Sequence, residues 1–404
     1  MIRPFPSTDV RARFPILQRT VNGCPLVYCD SAATSLTPID VLDAEANFYR
    51  TIGANVHRGS HTLAVEASEA YERARKQVAS FIGALDNEIV FTSNATAAIN
   101  TVAAGLPLRA EDETVASINE HHSALLPFMR RGGLRMFEAT PTQPLEPDAV
   151  FSHFTSRTKV LVVSHASNVT GVVNPVQAIC QGARERGVVT LVDASQSAGH
   201  SRLDVNALGC DFLAFSGHKL LGPTGIGVLY GRSEALATLT PRDVGGGAVH
   251  HVTRTGFRWN NPPANLEAGT PNIAGAIGLA EATRFLERLG WDSIETHHRS
   301  LLNAAWSRLS ELPEVVLLGS HRASSLPTIS MSFPGVPMNV DTFGATLSDR
   351  YGIMVRSGLH CAHPMFEGLQ LRDGVLRASL YVYNTLAEVE HLCASLREIL
   401  RAFR

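Results

Sequence analysis

The sequence predicts an α/β protein: a large, mainly parallel, doubly wound sheet followed by a smaller α+β C-terminal domain. Three observations carry that expectation. Strand-like and helix-like segments alternate from Glu88 to Tyr230, as in a parallel sheet with crossover helices. Val160-Leu161-Val162-Val163-Ser164 is apolar without a break, as a strand covered on both faces should be. From Trp291 onward the pattern changes to a helix, the alternating strand Pro327 to Phe333, and two further helices.

Taken in order, Thr62 to Phe81 reads as an amphipathic helix leading into the sheet. Glu88-Ile89-Val90-Phe91 is a short strand, and Ala95 to Gly105 has small residues at helical spacing. Thr114 to Ile118 is the next strand and runs into Glu120-His121-His122. A polar helix, Pro175 to Arg186, separates the Val160 strand from Val188-Val189-Thr190-Leu191-Val192, which ends in Asp193. Asp211 to Phe215 is a further strand, followed by Ser216-Gly217-His218-Lys219 and a glycine-rich turn, Gly222 to Gly227. Asp243 to Pro271, rich in Gly, Pro, Asn and His, reads as long loops or a hairpin, and a small-residue helix follows Ala274.

The chain has 404 residues, of which 45% are hydrophobic and 18% charged, enough to bury a large core in two domains. A formal net charge of −2 gives no global attraction to nucleic acid or to an anionic membrane. No apolar run is long enough for a secretory signal or a membrane span, which points to the cytoplasm. Cys24, Cys29, Cys180, Cys210, Cys361 and Cys393 are scattered, as free thiols of a reducing compartment are.

In doubly wound sheets ligands bind beyond the carboxyl ends of the strands, where Thr96, His121, Asn168, Asp193 and Lys219 all fall. An acid at one strand end and a lysine at the next suit pyridoxal phosphate (PLP). The acid holds a pyridinium nitrogen protonated, and the amine forms a Schiff base with the aldehyde. Asp193 capping a turn and Lys219 on the surface are the plainer alternatives, which Gln196, Ser216 and His218 in the same order weaken. Ser216 and His218 can donate to a phosphate. Thr96 is either part of an anion site at a helix start or an ordinary helix cap. One of His121 and His122 suits stacking on a pyridine ring, with core, surface or metal-ligand roles as alternatives. No metal is expected.

Arg356-Ser-Gly-Leu-His-Cys-Ala-His-Pro364 places a thiol between two histidines and near an arginine, a setting that favours thiolate. A buried small hydrophobe, or a metal site from His360, Cys361 and His363, competes with that reading. Arg377, read as the start of a strand through Tyr381, can grip a carboxylate with two bonds or form a structural ion pair.

Together these segments resemble the class V, fold-type I PLP enzymes, and within them the group II (Suf-type) cysteine desulfurases. The resemblance runs through Tyr28-Cys-Asp-Ser-Ala-Ala33, Asn55-Val-His-Arg-Gly59, Glu120-His-His122 and Ser167-Asn-Val-Thr-Gly171. It continues through Val192-Asp-Ala-Ser-Gln196, Ser216-Gly-His-Lys219, Glu267-Ala-Gly-Thr-Pro271 and Arg377-Ala-Ser-Leu380. It implies that Lys219 carries the cofactor, Asp193 pairs with the ring nitrogen and Gln196 contacts the ring hydroxyl. By the same resemblance His121 stacks on the ring, while Thr96, Ser216 and His218 hold the phosphate. Thr270 would reach the phosphate of a neighbouring subunit, which implies a homodimer. Asn168 and Arg377 would orient the substrate carboxylate, with Arg356 and His57 lining the approach. Cys361 would take sulfur from L-cysteine as a persulfide, leaving L-alanine, and pass it to an acceptor protein.

The implied domains are residues 1–25 as an N-terminal segment near the small domain, 26–290 as the PLP-binding domain, and 291–404 as the small domain carrying Cys361. Two departures from the family pattern stand out. Leu359 replaces the first of two histidines before the cysteine, and Ala95-Thr96-Ala97 replaces Thr-Thr-Glu. They leave open another class V activity (a selenocysteine lyase, C–S lyase or epimerase) in which Cys361 is not catalytic, or a silent scaffold.

Overall fold

The protein is described from a computed structural model, which covers residue 5, residues 7–321 and residues 325–403. Residues 1–4 and 6 of the expected N-terminal segment lie outside the described residues.

The central sheet is built from β1 (Ile89–Thr92), β2 (Glu113–Ser117), β3 (Leu134–Phe137), β4 (Thr158–Ser164), β5 (Val189–Asp193), β6 (Phe212–Ser216) and β7 (Gly227–Gly231). These strands lie in the order β1-β7-β6-β5-β4-β2-β3. Each neighbouring pair is parallel except the two made by β7, which runs against both β1 and β6. The α/β expectation therefore holds. The sheet also includes an edge strand, β3, that the sequence reading passed over.

Side chains alternate across a strand, and here both faces are apolar because both are covered. Leu161 and Val163 join one buried cluster with the helices Thr62–Phe81, Val176–Glu185 and Ile273–Leu289. Val160 and Val162 join another with the helices Ala95–Gly105 and His122–Arg131. An unbroken aliphatic run is what such a two-sided layer requires. The Asp243–Pro271 stretch contains the hairpin β8 (Val249–Val252) and β9 (Phe257–Trp259).

A second, antiparallel sheet is formed by β10 (Val316–Leu318), β11 (Thr328–Ser332), β12 (Arg356–Gly358) and β13 (Val375–Ser379), in the order β10-β11-β13-β12. Helices Trp291–Leu309, Val340–Tyr351 and Leu386–Arg401 pack on it around a core of their own. The last helix opens with a capping box, Thr385 and Glu388 each bonding the other's backbone N–H. Arg377 does not begin its strand, as the sequence reading had it, but sits in the middle of β13. Val375 and Leu376, apolar and paired with β12, extend the ladder backward from it.

Val27–Tyr28 pairs in parallel with Ile353–Met354, and Asp30 bridges to Ser379, so Val27 and Cys29 pack within the C-terminal core. Arg11, in the helix before them, pairs with Glu388.

The first residue of β7 has no side chain for a steric reason. A Cβ built on Gly227 would stand 2.5 Å from Asn94 Cα and 2.6 Å from Asn94 C, both backbone atoms that cannot swing aside. Gly227→Ala is expected to push the start of helix Ala95–Gly105 off the sheet and to cost about 1–3 kcal/mol, as overpacking does. A lowered urea midpoint with unchanged slope checks this.

Candidate active site

A cavity of about 390 Å³ opens beyond the carboxyl ends of the parallel strands. Of the candidate residues named from the sequence, all but His57, His122, Thr270 and His363 line it.

One end of the cavity is the start of helix Ala95–Gly105. Asn94 caps this helix, its side chain accepting from Ala97 N at 2.9 Å. That overturns the cap reading of Thr96, because Asn94 already holds the cap position and Thr96 lies inside the first turn. The Thr96 hydroxyl instead pairs with that of Ser123 at 2.7 Å. The Ser216 hydroxyl accepts from Ala95 N at 2.8 Å, which leaves its own proton free to donate. Unpaired N–H groups, hydroxyls and the positive end of a helix together suit a phosphate. His218 contacts Thr34 Oγ1 at 3.2 Å, and its pKa is pushed down to about 4, mainly by burial and then by Lys219.

The middle of the cavity lies between Asp193 and His121. Asp193 ends β5 and accepts from Ser195 N at 2.9 Å. Gln196 donates from Nε2 to the Ala32 carbonyl at 2.9 Å, which turns its amide oxygen away from that bond. His121 caps helix His122–Arg131, with Nδ1 accepting from Ser123 N at 3.1 Å. Burial first and Lys219 second lower its pKa to about 4, so the ring is neutral and its proton sits on Nε2. Lys219 follows β6 on a short 3-10 turn and is half-buried; loss of solvent around it lowers the pKa of its ammonium while Asp193 opposes the shift.

At the far end, Arg377 is 2% exposed. It donates to the Asn168 carbonyl at 2.8 Å and to Asp30 at 3.3 Å, and its Nε has no partner among the described residues. Burial lowers its pKa to about 10, still a cation at neutral pH. Arg356 takes Asp30 in a two-pronged grip, Nε to Oδ2 at 3.0 Å and Nη2 to Oδ2 at 2.9 Å. Arg377 thus makes a structural ion pair, and its Nε–H remains without a partner among the described residues. Cys361 is exposed at the same cavity wall. His360 is turned away from a shared metal site, with Nε2 on the Val375 carbonyl at 3.2 Å. His363 pairs with His122.

Three residues of the site were missed from the sequence: Asp30, Ser123 and Glu120. Asp30 stood in a recognised motif, but its role depends on the strand register that brings it to Ser379. Glu120 is 1% exposed and receives a hydrogen bond from the Ser164 hydroxyl. His57 pairs with Glu72 at 3.0 Å on the wall of a second, larger hollow of about 1140 Å³, which Gly269 and Pro271 on either side of Thr270 also line.

This architecture is that of the fold-type I PLP enzymes. The family described as aminotransferase class-V matches residues 27–392, and the chain belongs to it. It is 42% identical to a cysteine desulfurase of Klebsiella pneumoniae, with 98% of each chain covered. Among solved structures it is similar to the apo cysteine desulfurase of Thermococcus onnurineus, with a TM-score of 0.92 and 40% identity over 100% of this chain and 99% of that one. The cysteine desulfurase CsdA (S-sulfonic acid) of Escherichia coli superposes with a TM-score of 0.89 at 36% identity over 99% and 100% of the two chains.

Glu120 gives the site a pH signature. Its carboxyl is pushed up to about 8, by burial first and then by Asp193, against the Ser164 hydrogen bond. An unfolded glutamate ionises near 4.5, so folding takes up a proton between the two values. The contribution to stability is full below the lower value, declines as pH rises, and is gone above the higher. Glu120→Gln is expected to remove that slope. The variant's urea midpoint should gain on that of the wild type between about pH 5 and about pH 9.

Proposed function

We propose that the protein is a PLP-dependent cysteine desulfurase of the group II type, converting L-cysteine to L-alanine with a persulfide on Cys361. The observation that carries this reading is that Cys361, on the C-terminal side, opens onto the same cavity as Lys219, Asp193 and Arg377. The donor set fits the cofactor. A helix start with hydroxyls suits its phosphate, a carboxylate its ring nitrogen, a neutral imidazole its ring face and an amine of lowered pKa its aldehyde. When bound, PLP supplies an electron-withdrawing ring that acidifies the α-carbon of an attached amino acid.

The chain's own groups then have defined tasks. Thr96, Ser216 and His218 hold the phosphate, with Ser123 steadying Thr96. Asp193 keeps a proton on the ring nitrogen, and Gln196 offers its amide to the ring hydroxyl. Arg377, with its spare Nε–H, and Asn168 orient the substrate carboxylate, and Arg356 adds positive charge at the entrance. Lys219, whose burial favours the neutral amine, removes the Cα proton. The Cys361 thiolate attacks the substrate sulfur. An S–S bond forms, the substrate's C–S bond breaks, and alanine leaves with protons returned to its carbon.

His57 and Thr270 lie outside this cavity in their own chain, on or beside a separate hollow. Their roles are best served in a homodimer, where each would act at the partner's cofactor. An acceptor protein would receive the sulfur from the exposed Cys361. The scattered free thiols favour work in the cytoplasm, and no helix among the described residues is long and apolar enough to cross a membrane.

Incubation with L-cysteine should yield alanine and add the mass of one sulfur atom to the Cys361 peptide. In Cys361→Ser both should be lost while the bound-cofactor absorbance stays. Unchanged alanine production by that variant would move the protein to another class V chemistry, as would strong turnover of selenocysteine with negligible alanine from cysteine. A second expectation concerns Ser123→Ala, which removes one hydroxyl contact worth about 1 kcal/mol. Cofactor affinity, followed by absorbance on dilution, should fall by about fivefold in the alanine variant.

A further inference from the structure

The turn that carries Cys361 has an unusual backbone. His360 and Cys361 are consecutive non-glycine residues at φ values of 46° and 58°, a left-handed region that L side chains seldom occupy. Such a conformation persists only where its surroundings hold it. Within the turn, Ala362 N–H donates to the Leu359 carbonyl at 2.9 Å. The other holds come from the large sheet's side of the molecule. Asn168 donates from Nδ2 to the His360 carbonyl at 2.8 Å, and His122 N–H donates to the Cys361 carbonyl at 2.8 Å.

One further contact joins the two sides. His363 Nδ1 lies 2.9 Å from His122 Nε2, and His363 N–H approaches the same nitrogen at 3.3 Å. The two rings stack with centroids 4.6 Å apart and planes 27° apart. His122 Nε2 therefore accepts, and its own proton sits on Nδ1. Burial, with His363 second, lowers the His122 pKa and keeps the acceptor available. The partners lie 241 residues apart in sequence, one in the first turn after β2 and the other two residues past the thiol.

We propose that His122 and His363 form a clasp that positions Cys361 over the cavity. They are positioning residues: they act on the backbone of the turn and not on the reacting atoms. His122 is half-buried and His363 exposed, so the clasp is modest in strength and can open. That suits a thiol that must meet substrate inside and give up sulfur outside. The same turn of helix places His121 against the cofactor position and Ser123 on Thr96, so whatever fixes the thiol is fixed to the cofactor's own supports. The proposal rests on the reading of Cys361 as sulfur acceptor.

The test uses full-length, cofactor-loaded protein as wild type, His363→Ala and His363→Gln. Amide hydrogen exchange at His122 reads the clasp directly, because that N–H is the donor to Cys361. In His363→Ala it should speed up by about tenfold, the worth of one hydrogen bond. The rate of persulfide formation on Cys361 should fall by at least about fivefold, while cofactor absorbance and KM for cysteine change by less than about twofold. His363→Gln, whose amide can still donate to His122 Nε2, should recover most of both. Unchanged exchange in His363→Ala overturns the clasp, and so does faster exchange with an undiminished persulfide rate. A glutamine variant as impaired as alanine overturns the hydrogen bond as its agent and so sinks the proposal. Should wild type form no persulfide at all, the functional reading fails separately, and the positioning claim falls with it, while the exchange data still report whether the contact exists.

Discussion

The ion pair of Arg377 and Asp30 is the constraint on which the site depends. A guanidinium 2% exposed in the middle of β13 cannot stand without a carboxylate, since an unpaired buried charge is strongly destabilising. The carboxylate comes from the other end of the chain. Val27–Tyr28 enters beside Ile353–Met354, and the chain then brings Asp30 to Ser379 at the end of β13. One pair thus closes the N-terminal chain onto the C-terminal sheet and aims a cation at the cavity. Arg356, gripping the same carboxylate from β12, places a second positive charge beside it.

That arrangement sorts charge along the cavity. The end at Arg377 and Arg356 is cationic, and the end at Thr96 and Ser216 offers a helix start and hydroxyls. Between them the imidazoles are neutral, because burial and the neighbouring lysine hold His121 and His218 at about 4. Beneath His121, burial keeps Glu120 protonated at neutral pH, so Asp193 is not faced by a second full negative charge. A neutral histidine can lie against an electron-poor ring where an imidazolium would repel it. Burial and neighbouring charge thus set the protonation of the groups that line the cavity.

Much of this was legible in the sequence, and the reason is periodicity. A strand buried on both faces must be apolar throughout, so β4, β5 and β6 stood out, and a doubly wound sheet gathers whatever follows such strands. Thr96, His121, Asn168, Asp193 and Lys219 were found by that rule, with no distance known. Short-range spacing does not encode register, and there the reading ran out. Asp30 acts only because a two-residue strand pairs with another more than three hundred positions away. Arg377 was set at the start of its strand, whereas the pairing of Val375 and Leu376 with β12 puts it in the middle. Thr96 was offered as a cap because hydroxyl residues often are, but Asn94, just outside the helix, holds that position. His57 and Thr270 carry motif-level signals, yet no pattern within one chain shows whose cavity they serve.

Leu359 was the residue most at odds with the family pattern, and its surroundings explain what it does. It packs against the small cluster of Val169, Met365, Phe366 and Val375, directly under the turn that bears the thiol. His360 follows it inward, buried at the cavity wall with Nε2 on the Val375 carbonyl. The exposed imidazole is on the other side of the thiol, at His363, stacked on His122. An apolar residue beneath the turn and a histidine beyond it divide the work of anchoring and orienting. Leu359 thus belongs to the apolar support of the turn, the polar holds come from Asn168 before the thiol and from His122 and His363 beyond it, and Cys361 still lines the cavity.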